Sequence, residues 1–324
     1  MKQIIKTIIF LVGINPIVYS AIKPTLFSIP KITPKDSAVL FKLPLELNRF
    51  SVRDFALSPK QDELFITVES SKNVFSSIIR LTKNKQGWNI EMASFSGKYG
   101  DLEPSFSSDG KTLYFVSNRP LNNTDTQTKD FDIWKTEKIN GIWSEPINLG
   151  APVNTDANEF YPSVTNNGLL YFTAAYKNSK GKEDIWMSKL IDGNYTSPEL
   201  LSDSVNSIMY EFNAFVSFDD SFIIFTSYGR EDDLGGGDLY ISKKDAAGNW
   251  TKAKNLGSKI NSIALDYCPF VSFDKQYFFF TSERNKVQKS YKSKLSLDEF
   301  LKKIGQMQNG KGNIYWINAN TILQ

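Results

Sequence analysis

Glu103-Pro104-Ser105-Phe106-Ser107-Ser108-Asp109-Gly110-Lys111-Thr112-Leu113-Tyr114-Phe115 is the stretch that decides the fold. It reads as strand, tight polar turn, strand. The same pattern returns downstream. Tyr161-Pro162-Ser163-Val164 passes through Asn167-Gly168 to Leu170-Tyr171-Phe172-Thr173. Asn213-Ala214-Phe215-Val216-Ser217-Phe218-Asp219 leads to Ile224-Phe225-Thr226-Ser227, and Cys268-Pro269-Phe270-Val271-Ser272-Phe273-Asp274 leads to Phe279-Phe280-Thr281-Ser282. A degenerate first copy is Phe55-Ala56-Leu57-Ser58-Pro59 with Leu64-Phe65-Ile66-Thr67. With Ala56, Pro104, Pro162, Ala214 and Pro269 as markers, the steps are 48, 58, 52 and 55 residues. Self-similarity at such a period means a repeat architecture.

Two further elements follow each opening. Asp132-Ile133-Trp134, Asp184-Ile185-Trp186, Asp238-Leu239-Tyr240 and Asn313-Ile314-Tyr315 predict a third strand with an aromatic at a fixed place. A fourth follows at Gly141-Ile142-Trp143, Gly193-Asn194-Tyr195 and Gly248-Asn249-Trp250, the first two after Asn140-Gly141 and Asp192-Gly193 hairpin turns. Four short antiparallel strands per repeat make a propeller blade. The last copy lacks a fourth strand, because the chain ends soon after Trp316-Ile317. Phe41 to Asn48 aligns with the fourth-strand region ending at Ile260-Asn261, so the N-terminal segment is expected to close the ring and remove its open edges. The expected fold is therefore an all-β propeller of five four-stranded blades, with six open if residues 21–36 hold part of another.

Pro104-Ser105-Phe106-Ser107 and Asp109-Gly110-Lys111, followed by Leu113-Tyr114-Phe115 and Asp132-Ile133-Trp134, resemble the WD-like repeat of TolB-type propellers. The resemblance covers nearly all of residues 37–317. It implies a periplasmic or secreted binding scaffold and carries over no catalytic residue; the count of five departs from the six blades usual in that family.

The N-terminus predicts export. Lys2 and Lys6 precede an apolar run from Ile8 to Val12, and Val18 and Ser20 are small enough for cleavage before Ala21. The expected division is a signal peptide over 1–20, a linker over 21–36, one propeller domain over 37–317 with a short helical insertion at about 296–305, and a tail over 318–324. No cysteine near the cut offers a lipid anchor, and no later segment reads as a membrane span. The Asn-, Lys- and Ile-rich composition fits an AT-rich bacterium.

Composition narrows the chemistry. The 324 residues contain no histidine, which removes Ser-His-Asp and Cys-His mechanisms and the commonest zinc sites. The single thiol, Cys268, cannot make an internal disulfide and reads as a structural, half-buried strand residue. Thirty-eight basic residues against 35 acidic ones do not call for nucleic acid. No cofactor is expected, and the chain reads as a monomer.

Propeller geometry then sorts the loops. First-to-second and third-to-fourth turns share one face and are short. Second-to-third loops and blade-to-blade connections share the other and are long and polar, at 118–130, 176–183, 228–237 and 284–312. Long loops on a rigid scaffold carry function, which places binding on that face. Three residues before the markers stand Asp101, Glu159, Glu211 and Asp266, with Arg53 in the first blade. They predict a rim of carboxylates at the channel mouth, suited to a cation, a cationic ligand or a basic peptide; alternatively each pairs with Arg119, Arg230, Arg284 or a backbone amide. Asp232, Asp233 and Gly235-Gly236-Gly237 match no calcium-loop spacing and read as a flexible turn. The functional reading is a non-enzymatic scaffold for a protein or glycan partner of the cell envelope. The alternative is a glycoside-hydrolase-like enzyme using the channel-mouth carboxylates, which needs one protonated carboxyl and a second across the sugar bond.

Overall fold

Each repeat folds as one antiparallel sheet, and the first strands of the five sheets touch in the order 1-2-3-4-5-1, closing a five-bladed β-propeller. The computed structural model describes residues 29–324, apart from 32, 45, 46, 48, 86 and 123–126. The expected signal peptide and most of the linker fall outside the described residues. From the axis outward, blade 1 holds Ser51–Leu57, Glu63–Glu69, Ser76–Asn84 and Gly87–Met92. Blade 2 begins Asp101–Phe106, Thr112–Ser117 and Asp132–Ile139; blade 3 begins Glu159–Val164, Leu169–Ala174 and Asp184–Ile191. Blade 4 begins Tyr210–Val216, Phe222–Tyr228 and Asp238–Lys243; blade 5 begins Asp266–Val271, Tyr277–Ser282 and Asn313–Asn318. The outermost strands of blades 2 to 4 are two-residue pieces, such as Ile147–Asn148 and Lys254–Asn255.

The second strands explain the packing. Leu64-Phe65-Ile66, Leu113 to Val116 and Phe278-Phe279-Phe280 are buried throughout, because each lies inside its own sheet with a neighbouring blade on either side. Such strands read as continuous apolar runs rather than as alternation. Aromatics bridge the blades: Phe65 of blade 1 meets Trp143 of blade 2 edge-on at 5.8 Å, and Tyr171 of blade 3 meets Trp250 of blade 4 at 6.2 Å. Such geometry adds ~1 kcal/mol per pair beyond area burial.

The ring is closed by the N-terminal segment. Val39–Leu40 pairs antiparallel with the last strand, Val39 opposite Trp316 and Leu40 opposite Tyr315. The strand sits earlier than the expected 41–48. Phe41 still donates its amide to the Ile314 carbonyl, at 2.8 Å, but its ring turns inward. There it meets Phe55, Phe279 and Trp316 edge-on at 5.2–5.6 Å. Asn48, aligned above with Asn261, lies outside the described residues.

The longest excursion, between the second and third strands of blade 5, carries helix α1, Leu297–Gly305. Ser296 caps it in a complete capping box with Glu299, satisfying amides that the helix leaves unpaired. No helix among the described residues is long and apolar enough to cross a membrane.

Candidate functional site

All five first strands break their ladder at the same point. A two-residue bulge falls at Asp54-Phe55, Glu103-Pro104, Tyr161-Pro162, Asn213-Ala214 and Cys268-Pro269. The first bulge residue has φ between 50° and 59° in every blade. A side chain in that left-handed region is strained, by ~1 kcal/mol or more. In blades 1 to 4 the strain is offset because the turned amide reaches the preceding blade. Asp54 N–H donates to Thr281 Oγ1 at 3.2 Å, Glu103 N–H to Asp54 Oδ2 at 3.0 Å and Thr67 Oγ1 at 3.2 Å, and Asn213 N–H to Thr173 Oγ1 at 3.1 Å. Blade 2 has Val116 where the others have threonine, and there the Glu103 carboxylate substitutes, accepting from Tyr161 N–H at 2.6 Å.

This alignment corrects one reading of the sequence. The bulge register makes Phe55, not Ala56, the equivalent of Pro104. Val52 therefore stands where the other blades have a carboxylate, and Arg53 aligns with Leu102, Phe160, Phe212 and Tyr267. Those five side chains ring the axis.

Together they line a pocket of about 230 Å³ on the axis. Asn73, Glu183 and Glu283 come to it from second-to-third loops and Leu265 from a blade-to-blade connection, so it opens on the long-loop face. Glu103 and Asn213 form part of its floor. Beneath them the axis narrows to a gap of about 20 Å³ among Phe55, Tyr161, Phe215 and Phe270.

Arg53 organises the floor. Its guanidinium reaches Glu103 at 2.5 Å, Asp54 at 3.2 Å and Glu69 at 3.4 Å, lies over the Tyr267 ring at 5.2 Å, and donates to Cys268 Sγ at 3.2 Å. Asn213 adds a bond to Glu103 at 3.1 Å. Burial pushes the Glu103 carboxyl up to about 7, against the pull of Arg53 and the two amides. Burial also raises the Cys268 thiol well above its ordinary range. The cysteine is fully buried rather than half-buried, and it remains a thiol, not a nucleophile. Glu183 and Glu283, from blades 3 and 5, are both raised by burial, with Arg53 pulling Glu283 back.

Asp101, Glu159, Glu211 and Asp266 lie elsewhere. All four are fully buried, and none lines the axial pocket. Asp101 pairs with Arg119 at 2.7 Å, Glu211 with Arg230 at 2.8 Å and Asp266 with Arg284 at 3.2 Å. Each arginine continues to a backbone carbonyl between blades: Phe95, Val205 or Ile260. Each also lies over the third-strand aromatic, at 5.4 Å for Trp134, 4.8 Å for Tyr240 and 4.4 Å for Tyr315. Blade 3 has no arginine here. Tyr176 takes the place, donating to the Val153 carbonyl at 2.5 Å and packing on Trp186 at 4.9 Å. Glu159 accepts from Thr155 Oγ1 at 2.7 Å, its Oε2 has no hydrogen-bond partner among the described residues, and burial pushes it up to about 7. Among the described residues no three of His, Cys, Asp and Glu gather so as to hold a metal ion.

The same motif supports three of the four carboxylates, while Asp101 accepts instead from Ser96 Oγ at 2.8 Å. Val153-Asn154-Thr155, Val205-Asn206-Ser207 and Ile260-Asn261-Ser262 each stand four residues before Glu159, Glu211 and Asp266, counted from the hydroxyl residue. The asparagine pairs with the third strand in both directions, as Asn206 does with Ile185 N and O at 2.9 Å. The hydroxyl holds the carboxylate, as Ser207 Oγ holds Glu211 at 2.7 Å. This repeat is plain in the sequence and ties Glu159, Glu211 and Asp266 to the joints between blades.

No family model matches the chain, and no curated protein matches it. Solved structures do. A protein titled glycoside hydrolase aligns with TM-score 0.54 at 10% identity, over 89% of this chain and 92% of that one. TolB from Acinetobacter baumannii aligns with TM-score 0.49 at 15% identity, over 74% of this chain; the match spans about half (50%) of that TolB's length. The catalytic domain of a GH62 α-L-arabinofuranosidase from Coprinopsis cinerea aligns with TM-score 0.48 at 9% identity, over 88% and 97%. At such identities the likeness concerns the propeller fold alone.

Proposed function

We propose that the chain is a binding module that receives a protein or glycan group in the axial pocket of its long-loop face. The observation that carries this reading is the pocket floor. Glu103 is held by Arg53, the Tyr161 amide and Asn213, and Arg53 is held by three carboxylates. Charges bound to one another in this way give a rigid, polar base rather than a free acid or base. Above it, Phe160, Phe212 and Tyr267 offer ring surfaces, and Glu183 and Glu283 offer acceptors. That combination suits sugar hydroxyls over a flat ring face, or an amine carried on an apolar stem. Val74, Leu121, Leu234 and Ile263 stand exposed in loops of the same face, as contact area for a partner. The export expected from residues 1–20 would place the module in the periplasm or outside the cell.

A second reading rests on Glu183 and Glu283. Both carboxyls line one pocket, from blades 3 and 5, and Arg53 pulls only Glu283 toward its charged form, so they are the candidates for the acid and the base of glycoside hydrolysis. One experiment separates the two. Thermal unfolding is followed with a panel of plant and cell-wall oligosaccharides and basic peptides, and the same mixtures are assayed for released sugar. Binding without turnover, lost in Phe212→Ala, supports the module. Sugar release abolished by Glu183→Gln or Glu283→Gln makes it an enzyme. No shift by any compound removes the axial pocket as the site.

A further inference from the structure

We propose that the insertion in blade 5 docks the protein on an anionic lipid surface through α1 and the lysines around it. The insertion is a closed arm. Asn285 and Asn309 bridge at its neck, Lys286 N–H donates to the Gln308 carbonyl at 2.7 Å, and Gln308 is tied to Tyr315 Oη at 2.5 Å. Rooted in the third strand of blade 5, the arm has a fixed base on the long-loop face. The helix it carries is amphipathic with its apolar side turned outward. Leu297, Phe300, Leu301 and Ile304 follow the i, i+3, i+4, i+7 spacing of one face. Leu297 is 70% exposed and Phe300 46%, and no residue of the helix is buried. A helix that served to cover the propeller would bury that stripe.

The occupant follows from charge. Residues 286–304 hold six lysines, at 286, 289, 292, 294, 302 and 303, against Asp298 and Glu299. That excess of four exceeds the net charge of the whole chain, +3. The two acids lie in the first helical turn, where Glu299 is engaged in the capping box with Ser296. Lysines flanking an exposed stripe of Leu, Phe and Ile match a surface with phosphate headgroups above acyl chains. Lys303 lies over the Tyr291 ring at 4.7 Å, which holds the lysine-bearing segment beside the helix.

The test is co-sedimentation of the full chain with vesicles of phosphatidylglycerol and phosphatidylethanolamine, and with pure phosphatidylcholine vesicles. The variants are Phe300→Ser with Leu301→Ser, and Lys302→Gln with Lys303→Gln. All proteins have the same length, so any contribution from the apolar run at residues 8–12 cancels. Binding to the anionic vesicles is expected, weakened at least tenfold by 0.5 M salt, about fivefold per lysine removed, and roughly tenfold by the serine pair. None of the substituted side chains is buried, so the unfolding temperature should stay close to the parent's. Serine variants that bind like the parent, or equal binding to phosphatidylcholine, would overturn the proposal. So would a concentration-dependent dimer that the serine pair abolishes, since a second copy would then cover the stripe.

Discussion

Blades 3 and 4 place a glutamate at the same point of the ring and solve its burial differently. In blade 4, Glu211 receives Ser207, Ser227 and the Arg230 guanidinium, and the arginine reaches on to Val205 and lies over Tyr240. In blade 3, Tyr176 occupies the arginine's place and contacts the equivalent carbonyl and the equivalent aromatic, Val153 and Trp186. It fills the volume but brings no charge. The comparison shows that the carboxylate–arginine–aromatic stack is a joint between blades. Its geometry tolerates an uncharged member, at an electrostatic cost that falls on the glutamate. That cost appears in Glu159, whose carboxyl burial drives up to about 7.

The largest expected effect comes from making blade 4 resemble blade 3. Arg230→Met keeps most of the apolar stem and removes the cation, leaving Glu211 buried with the Ser207 and Ser227 hydroxyls and the Ser207 amide. Breaking a buried pair from one side costs about 3–5 kcal/mol, and urea unfolding at pH 7.5 should show a loss of that order. A loss under 1 kcal/mol would mean that Ser207 and Ser227 carry the carboxylate by themselves.

Glu159→Gln sharpens the same contrast in the opposite direction. A carboxyl whose folded pKa is raised binds its proton more tightly folded than unfolded. Its contribution to stability is therefore fully present below about pH 4.5, declines as pH rises, and is exhausted above about 7. Glutamine stays neutral throughout. The variant should match the parent near pH 4 and exceed it by about 1–3 kcal/mol at pH 8, measured by urea unfolding at both values. Equal stability at pH 8 would show that Glu159 is ionised and satisfied as it stands.

How far these joints could be read in the sequence depends on what carries the information. The blades were legible because a buried second strand such as Leu113 to Val116 and a turn such as Asp109-Gly110 are local features. Their spacing also gave five blades and the N-terminal closure. The carboxylates were legible as a set, with Arg119, Arg230 and Arg284 as possible partners, but the choice between a rim and those pairs was not, since periodicity places a residue on a strand without saying whether its side chain meets solvent or a neighbouring blade. Arg53 was misaligned by one residue, because the first copy has Phe55 where the others have proline or alanine, and the neighbouring Ala56 matches them by type. The axial cluster was not legible at all. Arg53, Glu103, Asn213 and Cys268 are separated by up to 215 residues and meet only because the ring closes.

The smallest effect tests the stand-in itself. Tyr176→Phe removes one hydroxyl and leaves the ring on Trp186. The Val153 carbonyl loses its donor, a neutral hydrogen bond worth about 0.5–1.5 kcal/mol. The loss of the Val153 bond alone is the same at pH 5 and pH 8, whereas the hydroxyl's pull on the Glu159 carboxyl toward its ionised form adds to the loss at pH 8. A loss that grows with pH would mean that the hydroxyl also supports the ionised form of Glu159. Tyr176 would then act as an electrostatic partner, and the two blades would differ in degree rather than in kind.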